Sequence, residues 1–403
     1  MDERKIRKTA AVFYAAKVLG THITMTFGVY VLMLRHAGLG FAEINVVNMF
    51  FMIGVFLFEV PTGSYADSFG YKRSFVIGLV IEGAALIMYF LSSGFWGFVT
   101  AEVVCAFAAA LQSGSLEAWA VNKLRRYGKK SGYAKMFNRA YILERLATLA
   151  MVWLGAKIGY RLGLSWPFFI SGMMSFVNAA VLWHLLNNGD EPDNKTSLDP
   201  WREFKRNIAA GRKIIINHRE LTFLFGMSFI FALIVQPVNM QWAILYEARF
   251  NTIDTSLPVF FQILGTIIGA CLITRFCGIF KSMAWQFVLM LGLVAATIIL
   301  IPVPRGWGLF MTVLFIHEIP RGMFHPLRAT WVNELVWEDE TRATINSYFG
   351  MIFTLAAASG LVFSGFWAEW FDIAICWQVM GGVGVVLLIV FFWLSKPKRF
   401  SLK

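Results

Sequence analysis

Charged side chains are scarce in this sequence: Asp, Glu, Lys and Arg make up 15% of 403 residues, against about 25% in soluble domains. The four cysteines form no CxxC pair and stand in or beside apolar runs, which predicts small buried thiols (Cys105, Cys271, Cys277, Cys376). There is no glycine-rich phosphate loop, no His/Cys cluster at metal-ligand spacing and no nucleophile with a base. We therefore expect no enzyme, no cofactor and no direct ATP coupling.

Apolar residues are abundant instead, at 58% of the chain with a mean hydropathy of +0.63. A bilayer span needs roughly 20 such residues. Twelve segments of suitable length are visible, at about 10–33, 42–65, 74–92, 95–121, 136–160, 165–186, 221–246, 253–276, 283–302, 306–332, 343–368 and 373–395. The basic N-terminus (Arg4, Lys5, Arg7, Lys8) precedes a long run without a cleavage signature, which favours a first membrane helix over a removable signal peptide.

The net charge of +12 has a topological explanation. With both termini cytoplasmic, 26 of the 36 basic residues fall at inner ends and loops, and only four arginines fall outside (Arg35, Arg161, Arg249, Arg305). This asymmetry follows the positive-inside rule. It predicts a multi-pass protein of the plasma or inner membrane whose basic residues meet lipid headgroups, and it argues against nucleic acid as a partner.

A long central loop divides the spans six and six. We predict an N-terminal bundle at 1–186, a cytoplasmic linker at 187–219 and a C-terminal bundle at 220–403. Within the linker, Asp199 and Pro200 are typical of a helix start, and Trp201, Phe204, Ile208 and Ile215 follow at helical spacing. Basic residues lie between them, so we expect an amphipathic helix on the membrane surface.

A short internal repeat supports this division. The stretches 116–124 and 327–335 match at five of nine positions at a constant offset of 211, and both fall at the end of the fourth span of their half. Paired halves are typical of secondary transporters.

The stretch Gly63-Ser64-Tyr65-Ala66-Asp67-Ser68-Phe69-Gly70-Tyr71-Lys72-Arg73 lies between spans 2 and 3. It resembles the G-x-x-A-D-x-x-G-x-[KR]-[KR] signature loop of the major facilitator superfamily, and Phe58-Glu59-Val60-Pro61-Thr62 is similar to that family's lead-in. The resemblance implies an all-α integral membrane fold with twelve transmembrane helices in two pseudo-symmetric six-helix bundles.

The residue types of this motif suit a cytoplasmic gate. Gly63 and Gly70 would permit close helix approach and a tight turn. Lys72 and Arg73 could hold headgroup phosphates or local carboxylates. By resemblance, Asp67 would latch the two halves together near the start of span 11, where the helix N-terminus and Arg342 attract a carboxylate.

The sequence departs from the family's patterns at three places: the first makes any latch asymmetric, and the other two weaken a proton-coupled drug antiporter assignment. The second-half copy of the motif, at 274–281, has no aspartate. Span 5 has no proline in 154–159, where the drug antiporters carry Gly-Pro-x-x-Gly-Gly. The family's common span 4 arginine is missing, with Glu102 near its place.

Span 10 carries the strongest polar pattern. Its charged residues are spaced by 3, 4 and 3 and fall within about 80° of the helix circumference (Glu318, Arg321, His325, Arg328). Pro320, Gly322 and Pro326 should interrupt its backbone ladder. Glu318 and His325 can change protonation, so we interpret the stripe as a substrate or proton pathway. The alternative is an intrahelical Glu318–Arg321 pair that serves packing.

Spans 1 and 7 add further candidates for the pathway. Lys17 faces a cavity or pairs with a carboxylate such as Glu144, and His22 lies on another face of span 1. Gln236 and Asn239 flank Pro237 in span 7, where a kink is expected and where helix–helix polar contacts are the alternative. The spans hold six acids and six bases, so charge counting leaves the sign of the substrate open.

These observations predict a monomeric secondary active transporter that moves a small organic molecule by alternating access. Proton-coupled export is the first interpretation, with protons or another ion as the coupling partner. Uptake of an anionic metabolite is the alternative. Lys17, which has no acid near it on its own helix, favours an anionic or zwitterionic substrate. A lipid translocase or a non-transporting sensor on the same fold remains a third possibility.

Overall fold

A computed structural model describes residues 3–128, 133–186, 218–336 and 339–395 of the chain, apart from the side chains at 134, 339–344 and 347. Apolar runs of this length satisfy their backbone hydrogen bonds internally in a bilayer only as helices. The first half accordingly forms α1 (Glu3–His36), α2 (Phe41–Phe69), α3 (Tyr71–Leu91), α4 (Phe95–Arg126), α5 (Ala134–Leu162) and α6 (Trp166–Leu185).

The second half repeats this organisation. Its helices are α7 (Arg219–Phe250), α8 (Ser256–Ile279), α9 (Met283–Leu300), α10 (Trp307–Leu335), α11 (Asp339–Trp370) and α12 (Ile373–Ser395). Every predicted apolar segment overlaps one of these helices, which confirms the all-α fold. The predicted amphipathic helix near 199–215 lies outside the described residues.

Among the described residues, ten helices are long and apolar enough to cross a membrane. The two others, α5 and α10, are each 29 residues long. Their length suffices for a span, but both carry several charged residues, among them Arg139, Glu144 and Lys157 on α5 and Glu318 and Arg321 on α10. Charged residues inside these two long helices are therefore the ones to inspect for function.

Three helices are interrupted. A 3₁₀ stretch at Gly20–Thr26 separates the α-helical parts Glu3–Leu19 and Tyr30–His36 of α1. In α4, Gly114 adopts φ +67° between Phe95–Gln112 and Ser115–Arg126. In α7, Val235 separates Arg219–Ile234 from Gln236–Phe250, with Pro237 in the first turn of the second part. The predicted kink in span 7 is present, whereas the breaks in α1 and α4 were not predicted.

Pro320 and Pro326 do not end the helix: α10 runs from Trp307 to Leu335 with both inside it, although neither proline can donate to the backbone ladder. Close packing against α8 supports it, because a Cβ on Gly322 would lie 2.1 Å from the carbonyl oxygen of Thr266. A Cβ on Gly269 of α8 would likewise lie 1.9 Å from the carbonyl oxygen of Ile319. Main chain meets main chain at this contact, as at small-residue interfaces in membranes.

The cysteine prediction holds for two positions only. Cys105 and Cys376 are buried, whereas Cys271 is exposed and Cys277 is half-buried on α8. In a membrane helix an apolar surface can face lipid, so an apolar neighbourhood in the sequence does not ensure burial in protein.

The chain forms two compact units. The first consists of Met1–Gly38, Phe50–Trp201 and Asp254–Ser256, and the second of Leu39–Met49, Arg202–Ile253 and Leu257–Lys403. Each unit includes a short segment from the other half of the sequence. In the first unit, Thr255 donates a hydrogen bond to the carbonyl oxygen of Gly28 at 2.7 Å. In the second, Asn45 donates to the carbonyl oxygen of Leu361 at 2.8 Å.

Candidate functional site

A buried polar network joins α7 and α10 in the second unit. The Arg321 guanidinium donates to Glu318 Oε1 at 2.6 Å and to Asn239 Oδ1 at 2.5 Å. The Asn239 amide donates to Gln236 Oε1 at 3.3 Å. Four residues that the sequence nominated separately therefore form one connected set.

The break in α7 helps to build this network. Gln236 opens the second helical part, and its side-chain amide donates to the carbonyl oxygen of Ala232 at 2.8 Å. That carbonyl lies four residues back, where a regular helix would supply a backbone donor. The side chain thus satisfies the backbone at the break and positions its own oxygen for Asn239.

Glu318 and Arg321 differ in their access to solvent. The Glu318 side chain is 3% exposed, and the Arg321 side chain 18%. Their charges compensate one another, which the low dielectric around them demands. A guanidinium has five N–H donors, so Arg321 can bind its two partners and still offer donors to a ligand.

The remaining residues of the span 10 stripe lie in a different environment. His325 is exposed, and the centroid of its ring lies 6.0 Å from the centroid of the Phe353 ring on α11. The Arg328 guanidinium lies over the Phe349 ring, 5.2 Å from its centroid. The stripe therefore splits into an ion-paired part that meets α7 and a second part that meets aromatic rings of α11.

Lys17 is paired in the first unit, which is one of the two outcomes its position allowed. Its Nζ lies 2.5 Å from Glu117 on α4 and 3.8 Å from Glu144 on α5. All three line a pocket of about 340 Å³ with Phe13 and Tyr141, among others. Two carboxylates face one ammonium group here, so these three groups give the pocket no excess of positive charge.

Glu102 lies apart from Lys17. The residue is 4% exposed and accepts a short hydrogen bond from the Tyr30 hydroxyl. The ring of Tyr30 packs edge-on against that of Tyr89, with centroids 6.1 Å apart. The carboxyl group therefore sits in an aromatic enclosure where α1, α3 and α4 meet.

His22 belongs to another cluster, which the sequence did not reveal. It contacts Glu82 on α3 and Ser175 on α6, and both partners are buried. The polar residues of α6 (Ser171, Ser175, Asn178) are spaced by 4 and 3 and lie on one helical face. That spacing within an apolar span is the signal that could have located this cluster.

The motif after span 2 is helical almost throughout, so its interpretation as a loop is wrong. Helix α2 continues to Phe69 and α3 begins at Tyr71, which leaves Gly70 as the turn, with φ +98°. The tight turn expected at Gly70 is present. A Cβ on Gly63 would meet no heavy atom within 4 Å in the described residues, so no close approach there requires glycine.

The charged residues of the motif are distributed over α2 and α3. Asp67 is exposed and accepts a hydrogen bond from the Tyr71 hydroxyl at 2.7 Å. Lys72 is buried, with its Nζ 4.5 Å from the centroid of the Trp183 ring, whereas Arg73 is exposed. Headgroup binding therefore fits Arg73 better than Lys72. The Arg342 side chain lies outside the described residues, and the Asp67 latch stays a prediction.

An ion pair lies near the end of α5, beyond the candidate pathway. Lys157 Nζ and Asp254 Oδ2 are 2.5 Å apart, and the backbone N–H of Ser256 donates to Asp254 Oδ1 at 3.2 Å. Burial alone would raise the pKa of Asp254. The hydrogen bonds from Lys157 and Ser256 outweigh it and hold that pKa below its ordinary value of 3.8.

A family model and several solved structures match this chain. The family model described as Major Facilitator Superfamily matches residues 12–306. The solved structure of the nucleoside transporter NupG superposes with a TM-score of 0.78 at 16% identity, covering 98% of this chain and 100% of that one. Comparison with curated protein sequences finds no match.

Two other solved transporters share the fold. A bacterial homolog of the human lysosomal transporter Spinster, in an inward-facing and unoccupied conformation, gives a TM-score of 0.69 at 13% identity, with 100% of both chains covered. The human organic anion transporter MFSD10 gives 0.64 at 12% identity, with 96% of this chain and 99% of that one covered. At such identities the likeness concerns the fold.

Proposed function

The chain belongs to the major facilitator superfamily, and from that premise we propose that it is a secondary active transporter of a small organic molecule. Transport proceeds by alternating access, with proton-coupled export as the direction and energy source. The protein acts as a monomer in the plasma or inner membrane with both termini cytoplasmic. It needs no bound cofactor, since the ion gradient supplies the energy.

The observation that carries this proposal is the network of Gln236, Asn239, Glu318 and Arg321. A charged residue within a span costs at least about 2.5–3.5 kcal/mol on insertion scales. Two charges are retained here beside the break of α7, and Arg321 keeps part of its surface accessible. A broken helix that presents polar groups in mid-membrane is the usual construction of a transporter binding site.

The ion pairs of Lys17 and Arg321 bear on the charge of the substrate. An anionic or zwitterionic substrate was expected from a Lys17 with no acid near it on its own helix, but Lys17 is bound by Glu117 and Glu144. Arg321 is likewise balanced by Glu318. The candidate pathway residues thus favour a neutral or zwitterionic substrate with hydrogen-bond acceptors over a simple anion.

Uptake into proteoliposomes tests the proposal. Labelled nucleosides, organic anions and organic cations are offered with and without an imposed pH gradient. We expect at least one compound to accumulate and Arg321→Gln to lower its initial rate about tenfold or more, because a hydrogen bond to a charged group contributes about 1.5–3 kcal/mol. A pH gradient that leaves every rate unchanged contradicts proton coupling.

A paired variant separates function from folding. Arg321→Gln leaves Glu318 buried without its cation, which destabilises by about 3–5 kcal/mol when the carboxylate stays charged. Glu318→Gln/Arg321→Gln removes both charges and should recover the melting temperature but not transport. Normal transport by this double variant would return the network to a packing role. Phospholipid scrambling by the wild type, without solute uptake, would instead indicate a lipid translocase.

A further inference from the structure

A second buried charge cluster lies in the first unit, on the 3₁₀ stretch of α1. His22 is 1% exposed and Glu82 is 6% exposed. His22 Nε2 lies 3.0 Å from Glu82 Oε1 and 2.5 Å from Ser175 Oγ. The substrate network in the second unit does not use these residues.

The donors and acceptors around His22 fit a ring that carries a hydrogen on each nitrogen. Its Nδ1 lies 2.8 Å from the carbonyl oxygen of Leu19, which can only accept, so this contact places a hydrogen on Nδ1. The Asn178 amide, 3.2 Å from Nδ1, donates to the same carbonyl oxygen at 3.0 Å. The Ser175 hydroxyl donates to Glu82 Oε1 at 2.8 Å and therefore presents a lone pair to Nε2. In this pattern Nε2 also donates, so the hydrogen-bond geometry fits an imidazolium beside a carboxylate.

The same cluster accommodates the loss of one proton. When the proton leaves Nε2 for water, the Ser175 hydroxyl can rotate and donate to the vacated lone pair. Glu82 keeps a donor, because the Gln112 amide lies 3.0 Å from its Oε2. Both patterns satisfy the buried groups, and they differ by one proton and one unit of charge.

Groups on α4, α5 and α6 surround His22 and Glu82, where the charge changes. On α4, Cys105 lies within electrostatic range of both Glu82 and Glu102. On α6, Asn178 lies 3.2 Å from His22 Nδ1 and adds a neutral amide. On α5, Gly155 meets α1 through the main chain of Met25. Loss of the proton leaves one net negative charge on a cluster whose His22 and Glu82 are buried.

The backbone at this cluster is built differently from a regular helix. The side chains of Thr21, Thr24 and Thr26 donate to carbonyl oxygens three residues back, at 2.6 to 2.8 Å. Ser171 donates to the carbonyl oxygen of His22 at 2.9 Å. A 3₁₀ stretch inside a helix often marks a hinge, and the His22 ring is tied to Leu19, where the first helical part of α1 ends.

We propose that the His22–Glu82–Ser175 cluster is the proton-binding site of this transporter and that its proton controls the 3₁₀ hinge of α1. The inference rests on the proposed function and names the residues that hold the coupling ion. The proton binds the Nε2 lone pair and leaves to water, and the O–H of Ser175 exchanges acceptors. Glu318 is less suited to this role, because the permanently charged Arg321 holds it at 2.6 Å.

The proton itself is the first probe. Purified protein with ¹⁵N-labelled histidine is studied by NMR across a pH series, and His22→Gln assigns the signal. We expect both ring nitrogens of His22 to be protonated at neutral pH, and Glu82→Gln to abolish protonation of Nε2. A His22 that is neutral at every pH where the protein is folded, or one that is indifferent to Glu82→Gln, overturns the proposal.

A matched pair of serine variants controls for packing. Ser175→Ala removes the hydroxyl that links the two charged groups, whereas Ser171→Ala, on the same helix, removes a bond to the backbone only. Ser175→Ala should change the His22 signals and their pH dependence, and Ser171→Ala should leave them as in the wild type. Equal effects of the two variants contradict the proposal. This pair also decides the matter when His22→Gln does not fold.

Transport separates coupling from structure. With a compound identified in the uptake panel, Glu82→Gln should lose the stimulation by a pH gradient and retain counterflow exchange, which needs no net proton movement. Loss of both activities in a folded variant marks the cluster as structural and overturns the proposal. When the wild type moves no compound of the panel, the proposed function fails, and the NMR series still decides whether the cluster binds a proton.

Discussion

Pairing is a common feature of the ionisable side chains in the described helices. Five ionisable side chains of the described helices have a named partner: Lys17 with Glu117, His22 with Glu82, Glu102 with Tyr30, Lys157 with Asp254, and Arg321 with Glu318. Each partner lies on another element except Glu318, which lies on the same helix. Removing one member of the buried pairs His22–Glu82 and Arg321–Glu318 therefore exposes the other to the desolvation penalty, whereas the pairs of Lys17 and Lys157 are partly exposed.

Asp254 supports a prediction about acid stability. Because its pKa is held below 3.8, the carboxylate contributes stability at every pH above that value and loses it as the pH falls through the lowered pKa. We expect Asp254→Asn to lower the melting temperature at neutral pH. The difference in melting temperature between the variant and the wild type should become smaller at acidic pH. The pair is partly exposed, so about 0–1 kcal/mol is involved.

Thermal melts of the wild type and both single variants over a pH series check this. In the Lys157→Gln background, Asp254→Asn should cost less than in the wild type, since the ion pair is already broken. An equal cost in both backgrounds would show that Asp254 stabilises the protein through Ser256 alone.

Helix continuity depends on packing as much as on composition. Two prolines and a glycine did not break α10, because α8 packs closely against it. The stretch Gly20–Thr26 of α1 contains no proline, yet it forms a 3₁₀ helix. Its threonines offer the backbone alternative hydrogen bonds, and Ser171 and Ser175 of α6 bind its polar groups. Contacts between distant residues decide such breaks, so local sequence reasoning could anticipate only the one at Pro237.

The α8–α10 contact can be tested with a matched pair of glycines on α8. In Gly269→Ala the new Cβ would lie 1.9 Å from the carbonyl oxygen of Ile319, so the main chain must shift. Overpacking of this kind costs about 1–3 kcal/mol. In Gly278→Ala the Cβ meets no atom of the described residues within 4 Å, and alanine is the better helix former.

We expect a lower melting temperature for Gly269→Ala in detergent and an unchanged or slightly higher one for Gly278→Ala. Equal stability of the two variants would mean that α8 and α10 are not in main-chain contact.

At the scale of the whole molecule, hydropathy and charge asymmetry were sufficient to predict the fold. Helix lengths and the family follow from runs of apolar residues and one motif. The candidate site followed only in part. The sequence nominated Glu318, Arg321, Asn239 and Gln236, but it could not pair α3 with α6 around His22, because those contacts join residues more than 90 positions apart. The boundaries of the two bundles, predicted at residues 186 and 220, stay predictions.

Orientation in the membrane is a prediction for the whole chain. In a cysteine-free background, Arg305→Cys and Arg125→Cys replace two exposed arginines, one in the loop before α10 and one at the end of α4, which are expected on opposite sides of the membrane. A membrane-impermeant maleimide applied to intact cells should label the first and should reach the second only after permeabilisation. The opposite pattern would place both termini outside and contradict the positive-inside assignment.

Each unit contains a short segment from the other half of the sequence, and this has a consequence for synthesis of the protein on the ribosome. By the end of α6 the ribosome has synthesised nearly all of the first unit, yet Asp254–Ser256 are still missing. At about 5–20 residues per second, several seconds pass before they emerge. Until then Lys157 lacks its carboxylate and the carbonyl of Gly28 lacks its donor. The first half of the sequence, expressed alone, would remain in this unfinished state, and it should acquire native stability only when the second half is supplied.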